Sequence, residues 1–301
     1  METQHILQIK NLSNSFDRVP MLKNLNLTLD AGEVVGLVGS NGSGKTTTIK
    51  ALMGLIQYTG EIILNGYNTK NNKEKSFQEM MLMPPLGTNY AYFTGYQNLE
   101  LGNCYYPQKK SKAEIIQVLQ QVGLGDSIYK KLSKYSLGMM QRLSFAKIVL
   151  YHPQLVLMDE PLNGLALDGV ELFTQCIQEF KAKYNMTILL SSHDIDIVQQ
   201  VCNRVVFIQK GEIKAQIDTN DNKDQFVIFE CDGILQYQQE IQTFFEQELT
   251  ILSPIKNEVG LYTNDIDKLN KFIYNQNLTI KSMRTVSKLK QKYIEFFGGN
   301  Q

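Results

Sequence analysis

The chain is 301 residues long, 43% apolar, and balances 30 Lys+Arg against 30 Asp+Glu for a formal net charge of zero. That length suits one large domain or two modest ones at roughly 100–200 residues each, with apolar residues enough for a sizeable core. Without net positive charge the chain lacks the global attraction to phosphate backbones that nucleic-acid binders show, so no nucleic-acid partner is expected.

The opening METQHILQIKN has no long apolar segment and excludes a secretory signal. No stretch approaches the ~18 apolar residues of a membrane span, so the chain is expected to be soluble by itself. Cys104, Cys176, Cys202 and Cys231 are scattered with no C-x-x-C pair, which points to a reduced, cytosolic protein. Residues 5–10 (HILQIK), 25–30 (LNLTLD) and 61–64 (EIIL) are predicted as strands of a peripheral, partly antiparallel sheet. Stronger apolar runs at 33–38 (EVVGLV), 155–158 (LVLM) and 187–191 (TILLS) read as central parallel strands. Each is followed by polar or Gly-rich residues and then a helical pattern. In such sheets ligands bind beyond the carboxyl ends of the strands.

From about 70 to 150 the chain reads as a mainly helical insert: a polar loop (NTKNNKEKS), a corner at Pro84-Pro85, then two or three helices. The main body is expected over 1–217, with a helical subdomain at about 85–150 inside it. DTNDNKDQ, from residue 218, is a linker by its polarity. Patches such as QFVIFE and DIDKLNKFIYNQ make 218–301 a small α+β accessory domain. The expected class is therefore α/β, with a mixed central sheet, a peripheral antiparallel sheet, a helical insert and a C-terminal α+β appendage.

Gly39-Ser40-Asn41-Gly42-Ser43-Gly44-Lys45-Thr46 satisfies G-x-x-x-x-G-K-[ST] between a strand and a helix, the context a phosphate loop requires. Glycines let the backbone curl so that successive N–H groups face phosphate oxygens, and the helix N-terminus adds its positive dipole end. Lys45 would contact the β- and γ-phosphates, and the Thr46 hydroxyl would bind Mg²⁺. Thr47 follows in the first helical turn and belongs to the same group. The fold is thereby expected to be of the P-loop NTPase kind.

Further on, Tyr135-Ser136-Leu137-Gly138-Met139-Met140-Gln141-Arg142 opens a short helix before LVLMDEP, and SSHD occupies 191–194. With these landmarks in order over residues 5–215, the chain resembles the nucleotide-binding subunits of ATP-binding-cassette (ABC) transporters. It is similar above all to ATPases of bacterial exporters for antimicrobial peptides or bacteriocins, the bacitracin-resistance type, which often carry Ser-Leu-Gly-Met followed by Gln-Arg-Leu. The resemblance implies that Phe16 stacks on adenine, the alternative being a core Phe at a strand end. It implies that Asp159 holds Mg²⁺ and that Glu160 polarises the attacking water. His193 matches the switch histidine at the γ-phosphate, while His5 and His152 are expected to be structural. Ser136 and Gly138 would act in trans, on ATP held by a second ATPase subunit paired head to tail, as a homo- or heterodimer. The Thr94-Gly95-Tyr96-Gln97-Asn98-Leu99 region would contact the membrane partner, and Thr94 also reads as a helix cap.

Two positions depart from the family pattern. Pro85 stands where Gln or an acid is usual, and Ala166 ends Asn163-Gly164-Leu165-Ala166 where Asp is usual; Asp168 lies two residues on. Slow or partner-dependent hydrolysis is the expected result. The leading function is an ATP-hydrolysing subunit that energises export of a peptide, drug or similar cargo through a separate integral-membrane permease, peripheral on the cytoplasmic face of the membrane. A soluble ABC ATPase acting on ribosomes or DNA is the alternative; one cassette, no sustained heptads and neutral charge argue against it. The signature and switch histidine argue against an unrelated P-loop kinase.

Overall fold

The computed structural model describes residues 5–83, 90–103, 109–163, 165–219, 226–247, 249–263 and 265–297. Pro84, Pro85, Cys104, Gly164 and most of the expected linker lie outside the described residues. The chain divides into two compact units, Met1–Asp218 and Thr219–Gln301.

The first unit opens on an antiparallel hairpin, β1 (His5–Phe16) and β2 (Val19–Asp30), twice as long as the strands that alternation suggested. Asn11 and Asn24 adopt left-handed backbones where the register shifts. Such bulges interrupt the period of two that reveals a strand in sequence. β3 (Val34–Val38) is buried at every residue, as a strand covered on both faces must be. It runs through the glycine-rich loop into α1 (Lys45–Leu52). β4 (Thr59–Leu64) and β5 (Tyr67–Asn68) complete a four-stranded antiparallel sheet in the order β2-β1-β4-β5. Part of the expected polar loop instead forms α2 (Lys73–Gln78): Phe77 packs against the apolar core and docks a segment whose composition alone reads as loop.

The chain continues through β6 (Met80–Met83), α3 (Gly95–Gly102), α4 (Lys112–Gln121), α5 (Leu137–Tyr151), β7 (Leu155–Met158), α6 (Leu167–Tyr184), β8 (Thr187–Ser192) and α7 (Ile195–Val201). The hairpin β9 (Arg204–Gln209) and β10 (Glu212–Asp218), which no sequence reading had named, ends the unit. The six-stranded sheet has the order β10-β9-β3-β8-β7-β6, parallel throughout except for β10. Leu7, Leu12, Leu22 and Leu29 of the antiparallel sheet meet Val35, Leu37, Ile49 and Leu157 in one fully buried core.

In the second unit β11 (Phe226–Cys231), α8 (Gln238–Phe245), β12 (Thr250–Ser253), β13 (Glu258–Tyr262), α9 (Ile266–Asn275), β14 (Ile280–Val286) and α10 (Lys288–Phe297) build an α+β fold. Its antiparallel sheet has the order β12-β13-β11-β14, and Val227, Phe229, Ile241, Leu261, Leu269 and Phe272 form a core of its own.

Candidate active site

β8 lies between β3 and β7, all three parallel, so the segments that follow them emerge side by side. The phosphate loop follows β3, Asp159 and Glu160 follow β7, and His193 follows β8. The loop is tight: Ser43 N–H donates to Ser40 O at 3.1 Å, and Gly44, at φ 113°, turns the chain into α1 in a conformation that only glycine takes readily. Lys45, only 6% exposed, reaches back over the loop and donates to Gly39 O at 2.6 Å and Ser40 O at 3.3 Å. A cleft of about 150 Å³ opens beside it, lined in part by residues 41–47, Glu160 and Asn163.

Glu160 joins two of the other predicted residues. One carboxylate oxygen lies 3.1 Å from Lys45 Nζ and the other 2.9 Å from His193 Nδ1. Its backbone is left-handed at φ 46°, an uncommon conformation for a side chain of this kind and one that concentrates at functional sites. Asp159 Oδ1 accepts from the Thr46 hydroxyl at 3.1 Å and from Ser191 Oγ at 2.7 Å. Ser191 Oγ in turn accepts the Glu160 N–H at 2.8 Å. Ser191 thus orders both acids, a task the sequence did not reveal although SSHD was in view; the signal is a hydroxyl near the end of a buried strand beside the acid pair.

Other predicted residues lie apart from this cluster. Phe16 is 72% exposed at the tip of the β1–β2 hairpin, which removes the alternative of a core Phe. Ser136 is the N-cap of α5, its hydroxyl accepting from Met139 N–H at 3.3 Å, so the signature is itself the first turn of a 15-residue helix. Neither Phe16, Ser136 nor Gly138 lines the cleft. Buried Gln141 ties this helix to α6 by donating to Gly169 O at 2.8 Å. Ala166 occupies the N-cap of α6 without a side-chain hydrogen bond, and Asp168 follows in the first turn. Thr94 caps α3 in a reciprocal capping box with Gln97. His5 pairs with Asp30 at 2.6 Å, and His152 ends α5 in a left-handed conformation.

Comparison with known proteins decides the family. Residues 22–163 match the family described as ABC transporter. The ABC transporter ATP-binding protein YdbJ of Bacillus subtilis is 32% identical over 92% of this chain and 90% of its own length. The bacitracin transport ATP-binding protein BcrA of Bacillus licheniformis is 30% identical over 98% of both chains. A solved ATP-binding subunit of an ABC transporter superposes with a TM-score of 0.61 at 29% identity, covering 72% of this chain and 92% of that one.

The chain belongs to the ABC transporter ATP-binding proteins. It is an ATPase of that family, with the family's α/β P-loop fold. The ABC ATPase loop suits a triphosphate on its own chemistry: Ser43 Oγ is buried without a protein partner, and the α1 N-terminus and Lys45 supply positive charge around it. The Thr46 hydroxyl and the Asp159 carboxylate are hard oxygen donors 3.1 Å apart, a set that suits Mg²⁺. Among the described residues no helix is long and apolar enough to cross a membrane.

Proposed function

We propose that this ABC ATPase energises export of a peptide, drug or similar cargo through a separate membrane permease, and that it works as a head-to-tail dimer at the cytoplasmic face. The observation that carries the catalytic reading is the meeting of Lys45, Glu160 and His193 within 3.1 Å at the ends of adjacent strands. The cargo class rests on likeness to a bacitracin transport ATPase over 98% of both chains, which takes in the second unit as well as the cassette.

The residues divide the work by chemistry. The N–H groups of 39–46 cradle the phosphates, with Lys45 on the β- and γ-oxygens and Phe16 stacked on the base. Stacking on an aromatic is worth about 1–3 kcal/mol and tolerates any base. Thr46 and Asp159 would hold Mg²⁺, which when bound neutralises charge on the phosphates. Phosphate oxygens compete with Glu160 for Lys45. Once released on that side, the Glu160 carboxylate accepts a proton from the attacking water while His193 keeps its other oxygen placed. A positioned base of this kind contributes roughly 10²–10⁴ in rate.

Two exposed apolar side chains support the dimer. Leu167 at the start of α6 is 90% exposed and Leu137 in the signature turn is 41% exposed. A second subunit placed over the signature helix would cover both. Around the α3 cap, Tyr92 is 83% and Tyr90 57% exposed, a surface for the permease. With Ala166 providing no carboxylate, hydrolysis by this chain is slow or partner-dependent. Co-expression with a candidate six-span permease tests the reading: cargo resistance that needs both proteins and intact Lys45 is expected, and resistance independent of Lys45 would overturn it.

A further inference from the structure

The hairpin turn between β9 and β10 reaches the phosphate loop at Ser43. Lys210 and Gly211 are both left-handed, at φ 51° and 80°, the pair a two-residue turn of this hand requires. Gly211 is clamped at both ends of its peptide units: its N–H donates to Ser43 O at 2.9 Å, and its carbonyl accepts Lys23 N–H at 2.9 Å. A Cβ on Gly211 would collide with the Met21 carbonyl oxygen and lie 3.0 Å from the Leu22 Cα. Those are backbone atoms of a sheet strand, which cannot swing aside.

The bond to Ser43 has a directional effect. The Ser43 carbonyl and the Gly44 N–H belong to one planar trans peptide, so they point in opposite directions. Drawing the carbonyl toward Gly211 turns the Gly44 N–H away from the Gly211 donor, and Gly44 is one of the residues lining the cleft. We propose that the Lys210–Gly211 turn is a positioning element of nucleotide binding, with the Gly211 N–H holding the Ser43–Gly44 peptide so that its N–H faces phosphate. The proposal rests on the reading of 39–46 as the phosphate site.

Gly66 provides the control, for it is left-handed at φ 81° in a tight turn, yet a Cβ there meets nothing within 4 Å. Mg-ADP and adenosine binding are measured by calorimetry for the full chain and for Gly211→Ala, Gly66→Ala and Lys45→Ala, with melting temperatures recorded without nucleotide. Gly211→Ala is expected to lose ADP affinity by about tenfold, the scale of one hydrogen bond, while adenosine affinity stays at the parent value. Gly66→Ala is expected to keep parent affinity for both. A folded Gly211→Ala with parent ADP affinity, or with ADP and adenosine weakened alike, overturns the proposal. If Gly211→Ala does not fold, a backbone ester at 211, which removes the donor and adds no side chain, gives the answer: weakened ADP supports the proposal and unchanged ADP overturns it. Parent-like ADP binding by Lys45→Ala would instead overturn the phosphate-site reading beneath it.

Discussion

Lys45 is a buried cation with three acceptors, two loop carbonyls and one carboxylate, so its removal is felt twice. Lys45→Ala deletes the charge opposite the phosphates and leaves Glu160, 17% exposed, without its lysine. A hydrogen bond to a charged group is worth about 1.5–3 kcal/mol, so nucleotide affinity is expected to fall by roughly 10–100-fold. Calorimetry with Mg-ADP measures this, and a parent-like constant would contradict the assignment. Ser191→Ala makes a different case. It removes a donor to Asp159 and strands the Glu160 N–H, while touching no residue of the motif itself. Turnover is expected to fall at least tenfold with ADP affinity nearly held, because the loop that binds phosphate is untouched; a variant with full turnover would show that the acids order themselves. Lys45, Thr46, Asp159, Glu160 and His193 were legible because motif and strand end coincide in the chain. Ser191 was not, since its importance lies in contacts to residues 31 and 32 positions away.

At the scale of elements, legibility followed burial. Val34–Val38 and Leu155–Met158 are buried at every residue and stand out as unbroken apolar runs. The β9–β10 hairpin was missed because its second strand alternates weakly and its turn is Lys-Gly rather than the usual Asn-Gly or Asp-Gly. The polar stretch at 73–78 misled for the opposite reason: one docked aromatic, Phe77, holds a helix that composition argues against. The bare N-cap of α6 yields a prediction of its own. Ala166→Asp provides the missing cap, and replacing Ala by Asp at such a site typically stabilises by about 1 kcal/mol. The melting temperature is therefore expected to rise. If the missing carboxylate also limits turnover, kcat rises with ADP affinity unchanged, since an interaction felt in the transition state acts on rate rather than binding. A higher melting temperature with flat kcat would restrict Ala166 to a structural effect.

For the whole molecule, the proposal of a trans site means that one subunit holds the phosphate loop and the other the signature helix. The isolated chain is then expected to hydrolyse ATP with a rate that rises more than linearly with protein concentration. Glu160→Gln keeps the shape of the acid and removes the base, so turnover should drop by about 10²–10⁴ while a nucleotide-bound dimer accumulates. Light scattering in saturating Mg-ATP tests this, and a strictly monomeric variant would refute the dimer.

The strand order of the central sheet also has a consequence for how the protein is made. β3, which carries the phosphate loop, is among the first strands to leave the ribosome, yet its two sheet neighbours are β8 and β9, among the last made in the unit. The loop's brace at Gly211 arrives 168 residues after Ser43. Throughout most of translation the apolar run VVGLV therefore has no partner on either edge, and such unpaired strands are where nascent chains aggregate. A chain stopped after residue 203 is expected to bind no ADP, whereas one stopped after residue 219 has every strand the loop needs. Nucleotide binding would thus appear abruptly near the end of cassette synthesis, so chaperone demand should fall on the first two hundred residues while they wait.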